Sequence, residues 1–222
     1  MPRATPAYTP PGRLSHAVLA LLGLDAALAW LVIVGVYTLL ERIWKGMTGR
    51  LGGADTLAAH WSQLNGLRFI QGLAWCATAA AFLWWLYRAH RNLRALGAAD
   101  LGFTPRAAVS AFFVPVLNVV VPVRVVRELW NHSDPAEGVP ARGEPVKTSP
   151  WVAWWWAIFV ASIVLDPVVF RMGGDLEARL TVGTTVLLVL AQLLEMSAAV
   201  LAMVVVWSVN QGQQEIFDRN SA

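Results

Sequence analysis

Four long apolar stretches constrain the fold of this chain more than any other feature, because each is long enough to cross a lipid bilayer. A transmembrane helix needs about 20 consecutive, mainly apolar residues. The stretches cover residues 17–40, 69–87, 151–170 and 180–207. Together they contain three charged residues, Asp25, Asp166 and Glu195. The sequence therefore predicts an all-α integral membrane protein with four transmembrane helices.

The composition excludes several other classes of protein. The chain of 222 residues is 57% apolar and 14% charged, whereas soluble domains contain about 45–50% apolar and about 25% charged residues. A soluble cytosolic enzyme and a disordered chain are therefore excluded. The single cysteine, Cys76, excludes both an intramolecular disulfide and a metal site built on a cysteine pair.

A fifth apolar run, at residues 107–123, is interrupted by Pro115, Asn118 and Pro122. Each proline removes a backbone donor and clashes with the preceding helical turn. We therefore expect residues 105–130 to form a re-entrant or interfacial segment between the second and third transmembrane helices, with Pro115 and Pro122 as its helix-breaking residues. A full crossing is the alternative.

The distribution of basic residues predicts the orientation. If the broken segment is re-entrant, 11 of the 17 Lys and Arg residues lie on the side of the N-terminus and six on the other, but a full crossing gives eight against nine. Cytoplasmic loops carry an excess of Lys and Arg, so both termini are predicted to be cytoplasmic. We expect a flexible cytoplasmic tail at residues 1–15 and a cytoplasmic tail at residues 211–222, around a membrane helical domain at residues 16–210. A cleaved signal peptide is disfavoured, because the first apolar run continues to Leu40.

The central part of the chain carries an ordered series of motifs. They are FLWWLYRAHRNLRALG at 82–97, FTP at 103–105, FFVPVLN at 112–118, ELW at 128–130, SDP at 133–135 and WWW at 154–156. This series resembles the bacterial membrane family called domain of unknown function 4328. The resemblance covers residues 82–156 and implies residence in a bacterial membrane. It implies no activity and identifies no catalytic residue.

Ionisable and amide side chains within the apolar stretches are the first candidate site. A charged side chain at the bilayer centre costs about 3 kcal/mol or more and marks a functional site by default. From their positions along the helices, we predict that Asp25, Asn118, Gln192 and Glu195 face a common interior as a mid-membrane polar cluster. No basic residue is expected at the same depth, so the counter-charge is predicted to be a proton. The alternative is that a buried, neutral acid ties helices together.

Arginines at helical spacing are the second candidate site. Arg88, Arg91 and Arg94 recur every third residue, and Asn92 and Gly97 are expected to end the helix that carries them. With Arg124 and Arg127 they are predicted to line one cytoplasmic interface and to contact anionic lipid headgroups. The alternative is that they are stop-transfer charges that set the topology.

The sequence contains no motif for a catalytic triad, a phosphate-binding loop or a dinucleotide site, and its four histidines form no ligand pair. We therefore predict no catalytic residue, no metal and no cofactor. The predicted function is that of a non-enzymatic structural or regulatory protein of the bacterial inner membrane, acting through helix, lipid or partner contacts. A protein partner or a second copy of the chain fits this function, and nucleic acid does not. The alternative is a small channel or proton-coupled transporter that uses the polar cluster, and an enzyme acting on lipids ranks third.

Overall fold

The computed structural model describes residues 7–10, 12–47, 54–98, 101–115, 117–135, 149–172 and 182–222. Six helices lie in these ranges: α1 (Gly12–Met47), α2 (Ala54–Ala95), α3 (Pro105–Ser110), α4 (Leu117–Asn131), α5 (Pro150–Met172) and α6 (Val182–Ser221). The described residues contain no β-strand. The prediction of an all-α fold is therefore confirmed for this part of the chain.

Among the residues that the structure describes, three helices are long and apolar enough to cross a membrane, not the four that the sequence predicted. They are Gly12–Lys45, Ala59–Ala95 and Gly183–Ser221, with 34, 37 and 39 residues. At 1.5 Å per residue these lengths are about 51 to 58 Å, so each exceeds a bilayer core of about 30 Å. The predicted third span belongs to α5, whose described apolar part, Pro150–Asp166, is too short to qualify.

The end of α2 is fixed by a glycine in the left-handed conformation. Gly97 has a φ of 100°, the amide of Ala98 donates to the carbonyl of Leu93 (3.0 Å), and that of Gly97 donates to Arg94 (3.3 Å). This pair of bonds is the Schellman arrangement, which satisfies carbonyls that the helix end leaves free. The prediction that this helix ends at Gly97 is confirmed, whereas Asn92, the other predicted end, lies inside α2.

Both predicted tails contain helical residues. Helix α1 begins at Gly12, within the predicted tail at residues 1–15, of which residues 1–6 lie outside the described part. The predicted tail at residues 211–222 is helical as far as Ser221 and forms the end of α6. Its polar composition suggested a solvated tail, but Gly212 and Gln213 are buried by contacts with other helices.

The proline-rich segment forms two helices, α3 and α4. Pro115 lies between them, where its carbonyl accepts from the amide of Leu117 (2.8 Å). Pro122 lies inside α4 and is buried, so the prediction that it breaks the helix is wrong. A proline removes one helical hydrogen bond; burial of Val125, Val126 and Leu129 on the same helix offsets that loss.

The chain divides into two compact units. Unit 1 comprises residues 1–22, 78–157 and 201–222, and unit 2 comprises residues 23–77 and 158–200. Each of α1, α2, α5 and α6 contributes residues to both units. An aromatic cluster lies inside unit 1 and consists of Phe82, Trp85, Phe112, Trp155 and Trp156, with ring centroids 5.3 to 6.4 Å apart in five pairs.

Unit 2 has an aliphatic core formed by Val32, Val36, Leu39, Leu64 and Leu188. A close approach of α1 to α2 accompanies this core. The Nε2 atom of His60 on α2 lies 3.0 Å from the carbonyl of Gly35 and 3.1 Å from the hydroxyl of Thr38, both on α1. A β-carbon at position 35 would lie 2.4 Å from a methyl group of Leu64, so a larger residue there would require the Leu64 side chain to move.

Candidate functional site

A buried glutamine joins two polar residues of α6 in unit 2. The Nε2 atom of Gln71 on α2 donates to Oε1 of Gln192 (2.8 Å) and to Oε2 of Glu195 (2.9 Å). Gln71 and Gln192 are 5% and 1% exposed. We call these three residues the Gln71 cluster. Because Gln192 and Glu195 are three residues apart on a helix, they share one face and can share one donor.

An ion pair lies one helical turn from the Gln71 cluster along α2. The Nη2 atom of Arg68 donates to Oδ1 of Asp166 on α5 (2.6 Å). Arg68 also interacts electrostatically with Glu195. The expectation that no basic residue shares the depth of the acids is therefore wrong. Arg68 directly precedes the apolar run at residues 69–87, but α2 begins at Ala54, so Arg68 lies inside the helix.

The structure brings together part of the predicted mid-membrane cluster. Gln192 and Glu195 belong to the Gln71 cluster, and Asp25, which is 3% exposed, interacts electrostatically with Glu195. Asn118 lies in unit 1, near the start of α4, with an exposed side chain. The role of these residues as a functional site stays a prediction. Sequence reasoning missed Gln71, because a single glutamine in an apolar run gives little signal.

Two of the five predicted headgroup arginines contact the chain itself. Residues 7–10, which we call the strap, lie against α2: the Nη2 atom of Arg88 donates to the carbonyl of Pro10 (3.3 Å), and that of Arg91 donates to Oγ1 of Thr9 (3.0 Å). No contact of the other three arginines with the strap is seen among the described residues. Arg94 and Arg124 are exposed, and Arg127 is half-buried. The headgroup role of all five stays a prediction.

The strap is held by main-chain recognition and by an aromatic stack. Asn92 accepts from the amide of Thr9 at Oδ1 (3.2 Å) and donates from Nδ2 to the carbonyl of Thr9 (2.8 Å). Tyr8 stacks on Phe217 of α6, with ring centroids 4.4 Å apart and planes at 18°, and its hydroxyl donates to Gln214 (3.3 Å). Burial of the phenol, with the negative charge of Asp218 nearby, raises the pKa of Tyr8 to about 12.

A buried glutamine of α6, Gln213, links Asn92 to other residues of unit 1. Gln213 accepts at Oε1 from Nδ2 of Asn92 (3.3 Å), and it donates from Nε2 to the carbonyl of Ala89 (3.0 Å) and to the hydroxyl of Ser133 (3.2 Å). Ser133 in turn donates to the carbonyl of Leu129 (2.7 Å). Gln213 is 1% exposed, so each of its polar atoms needs these partners.

A buried histidine and a glutamate tie α2 to α4 in the same unit. The Nε2 atom of His90, which is fully buried, lies 3.1 Å from Oε1 of Glu128. Glu128 also accepts from the amides of Gly102 (2.8 Å) and Phe103 (3.4 Å). The carboxylate therefore fixes the turn before α3 against α4, which is a structural role.

The family model described as Domain of unknown function (DUF4328) matches residues 49–211, more than half of the chain. The chain belongs to this family. The resemblance drawn from residues 82–156 is thus confirmed and extended in both directions. No curated protein and no solved structure matches the chain. The DUF4328 match includes Gln71, Asn92 and Glu195, whereas the strap lies before it.

Proposed function

We propose that this DUF4328 protein is a non-enzymatic, multi-pass protein of the bacterial inner membrane that acts through contacts of unit 1 with anionic lipid headgroups and helical partners. In this proposal unit 1, which contains both ends of the chain, faces the cytoplasm. The observation that carries the proposal is the unequal division of basic residues between the two units.

Among the described residues, eight Lys and Arg belong to unit 1 and four to unit 2. Those of unit 1 are Arg13, Arg88, Arg91, Arg94, Arg106, Arg124, Arg127 and Arg219, and those of unit 2 are Arg42, Lys45, Arg68 and Arg171. An excess of Lys and Arg marks the cytoplasmic side of a membrane protein. The anionic lipids of that leaflet attract each such residue by about 1 kcal/mol near the surface.

Exposed tryptophans of unit 1 support a bilayer interface at this level. Trp84, Trp151, Trp154 and Trp207 are each more than half exposed, at 52% to 65%, and they come from α2, α5 and α6. Tryptophan is enriched at both membrane–water interfaces, where its ring packs on acyl chains and its N–H reaches water. A belt of this kind is expected where the spanning helices leave the bilayer.

The segment from α3 to α4 fits the same interface. Apolar side chains from 42% to 69% exposed cluster around its turn: Phe113, Val114, Leu117, Val119 and Val120. Trp156 of α5 contacts this segment, because its Nε1 donates to the carbonyl of Val119 (2.6 Å). We propose that this segment enters the membrane from the side of unit 1 and returns to it, as an interfacial or re-entrant element.

Cysteine labelling in intact cells tests the orientation. In a Cys76→Ala background, we expect an impermeant thiol reagent to label Ser62→Cys, on exposed α2 of unit 2, without permeabilisation. Asn220→Cys, at the exposed end of α6 in unit 1, should be labelled only after permeabilisation. The Cys76→Ala parent is the control for background. Labelling of Asn220→Cys in intact cells would contradict the proposed orientation.

Native mass spectrometry tests the lipid contacts. Replacing the five predicted headgroup arginines by glutamine should lower the retention of anionic lipid relative to the wild type. The control, Arg42→Gln with Lys45→Gln, removes positive charge from unit 2 and should retain anionic lipid as the wild type does. Equal retention by both variants would contradict the headgroup role.

A second candidate function, a small channel or proton-coupled transporter, rests on the polar groups of unit 2. Asp25, Asp166 and Glu195 are three acids, and among the described residues Arg68 is the base that pairs with one of them. Such groups within spanning helices mark proton or substrate pathways by default. Liposomes containing the protein and a pH-sensitive dye should then take up protons, and Glu195→Gln should remove the uptake. Uptake equal to that of protein-free liposomes would eliminate this candidate.

A further inference from the structure

The strap covers two arginines that are suited to bind an anion. We infer that Arg88 and Arg91 form a site for a phosphate group, and that the strap closes this site by occupying the same guanidinium groups. The inference rests on the proposed function and deepens it, because it names the ligand chemistry of one pair of arginines and the segment that regulates access to them.

The two guanidinium groups are not matched by charge in the strap. They are three residues apart on α2, so they project from the same face, and both donate to neutral oxygens, the carbonyl of Pro10 and the hydroxyl of Thr9. Residues 7–10 contain no acid. Hydrogen bonds from arginine to an ionised phosphate are roughly twice as strong as those to neutral acceptors. A phosphate therefore competes favourably with the strap for these donors.

The docked strap also leaves a hydrogen-bond donor of this arginine pair unused. The Nε atom of Arg91 is buried and has no hydrogen-bond partner. A guanidinium group offers five donors in a fixed fork, which a phosphate engages two at a time. Exchange of the strap for a phosphate would satisfy donors that the strap leaves unused.

Other residues hold the strap, so its docked state is defined independently of the arginines. Asn92 hydrogen-bonds to both the amide and the carbonyl of Thr9, and Tyr8 stacks on Phe217. These contacts set how strongly a phosphate must bind to displace the strap. Near an anionic leaflet each arginine contributes about fivefold to the equilibrium, so the pair is expected to shift the ratio of docked to released strap by about 30-fold.

A spin label on the strap measures this equilibrium in the full-length protein. Ala7 is exposed, and Ala7→Cys in a Cys76→Ala background carries a single nitroxide. The protein is placed in nanodiscs of phosphatidylcholine, in nanodiscs that also contain phosphatidylglycerol, and in phosphatidylcholine nanodiscs with inorganic phosphate in solution. We expect an immobile label in the first case and a mobile label where a phosphate anion binds. Release by phosphatidylglycerol alone identifies the lipid headgroup as the source, and release by inorganic phosphate identifies a free anion.

Variants separate displacement at the site from a general effect of membrane charge. In Arg88→Gln with Arg91→Gln, the label should respond to neither anion, whereas Arg42→Gln with Lys45→Gln should respond as the wild type does. Asn92→Ala gives the spectrum of a released strap. An immobile label in all three conditions, or an unchanged response in the Arg88/Arg91 variant, would overturn the inference.

The result is distinguishable from failure of the proposed function. If native mass spectrometry shows that anionic lipid is retained through the arginines but the label stays immobile, the regulatory role of the strap is wrong and the headgroup contact stands. If anionic lipid is not retained and the label stays immobile, both are wrong. The wild-type arms of the experiment need no substitution at the arginines, so they test the inference even if that variant does not fold.

Discussion

Gly212 lies where α6 touches the chain after α4, and its replacement by alanine is the sharpest test of unit 1. A β-carbon there would lie 1.7 Å from the carbonyl oxygen of Ser133 and 2.9 Å from its carbon. Ordinary contacts begin at 3.4 Å, so the two segments would have to separate by roughly 1.7 Å. The obstacle is backbone, which cannot rotate away as a side chain can.

The energetic cost follows from what this separation breaks. Overpacking costs about 1–3 kcal/mol. The bond from Gln213 to Ser133, now 3.2 Å, would be lost, and a buried amide without its partner costs about 1–3 kcal/mol more. Alanine recovers about 1 kcal/mol of helix propensity. We therefore expect Gly212→Ala to destabilise the protein by about 3 kcal/mol, which lowers Tm by roughly 6–12 °C for a chain of this length.

Thermal unfolding in detergent, followed by tryptophan fluorescence, measures this change. The matched control is Gly66→Ala on α2, because a β-carbon at position 66 meets nothing within 4 Å. The control should unfold at or slightly above the wild-type temperature. If Gly212→Ala unfolds at the temperature of the control, the close approach of α6 to Ser133 does not exist in the folded protein, and the argument fails.

Three further outcomes are expected. Because the pKa of Tyr8 is raised to about 12 from 10.0, the docked strap favours the neutral phenol. Docking is therefore intact below pH 10, and its equilibrium constant falls as the pH rises towards 12, by about tenfold at pH 11. Ultraviolet titration of the phenol and the spin label on the strap should report this change together. Gln71→Leu leaves two acceptors on α6 without their donor and should cost about 1–2 kcal/mol in thermal unfolding, whereas an unchanged Tm would refute the packing of that glutamine. A double-mutant cycle on Arg68→Leu and Asp166→Leu should give a coupling of at most about 1 kcal/mol, since both side chains are partly exposed, and a coupling of several kcal/mol would show that the pair is fully buried in the membrane.

The sequence was most informative where local chemistry decides the structure. Apolar length placed α1, α2 and α6 correctly, because a bilayer-length apolar run has few alternatives to a helix. Gly97 ended α2 as expected, since a left-handed residue needs no distant partner.

The sequence was least informative where a partner distant in the chain decides the structure. Residues 211–221 are polar and resemble a solvated tail, but they continue α6 because Gln213 finds buried partners on α2 and near α4. The apolar run of the second predicted span begins only after Arg68, yet α2 starts 14 residues before that arginine. The strap has neither apolar periodicity nor a motif, so its contacts with Asn92 and Phe217 could be found only from the structure.

The amide network of unit 1 has a direction. Each side chain in this chain of hydrogen bonds donates to the next group: Asn92 to Gln213, Gln213 to Ser133, and Ser133 to the carbonyl of Leu129. A carboxamide has its donor and acceptor on opposite arms, so no member can turn over unless its neighbours turn over as well. The first member, Asn92, is also the residue that hydrogen-bonds to the main chain of the strap. Loss of the strap therefore removes the two main-chain contacts that orient Asn92, and the polarity of the network then depends on the two main-chain carbonyls that still accept from it, those of Ala89 and Leu129.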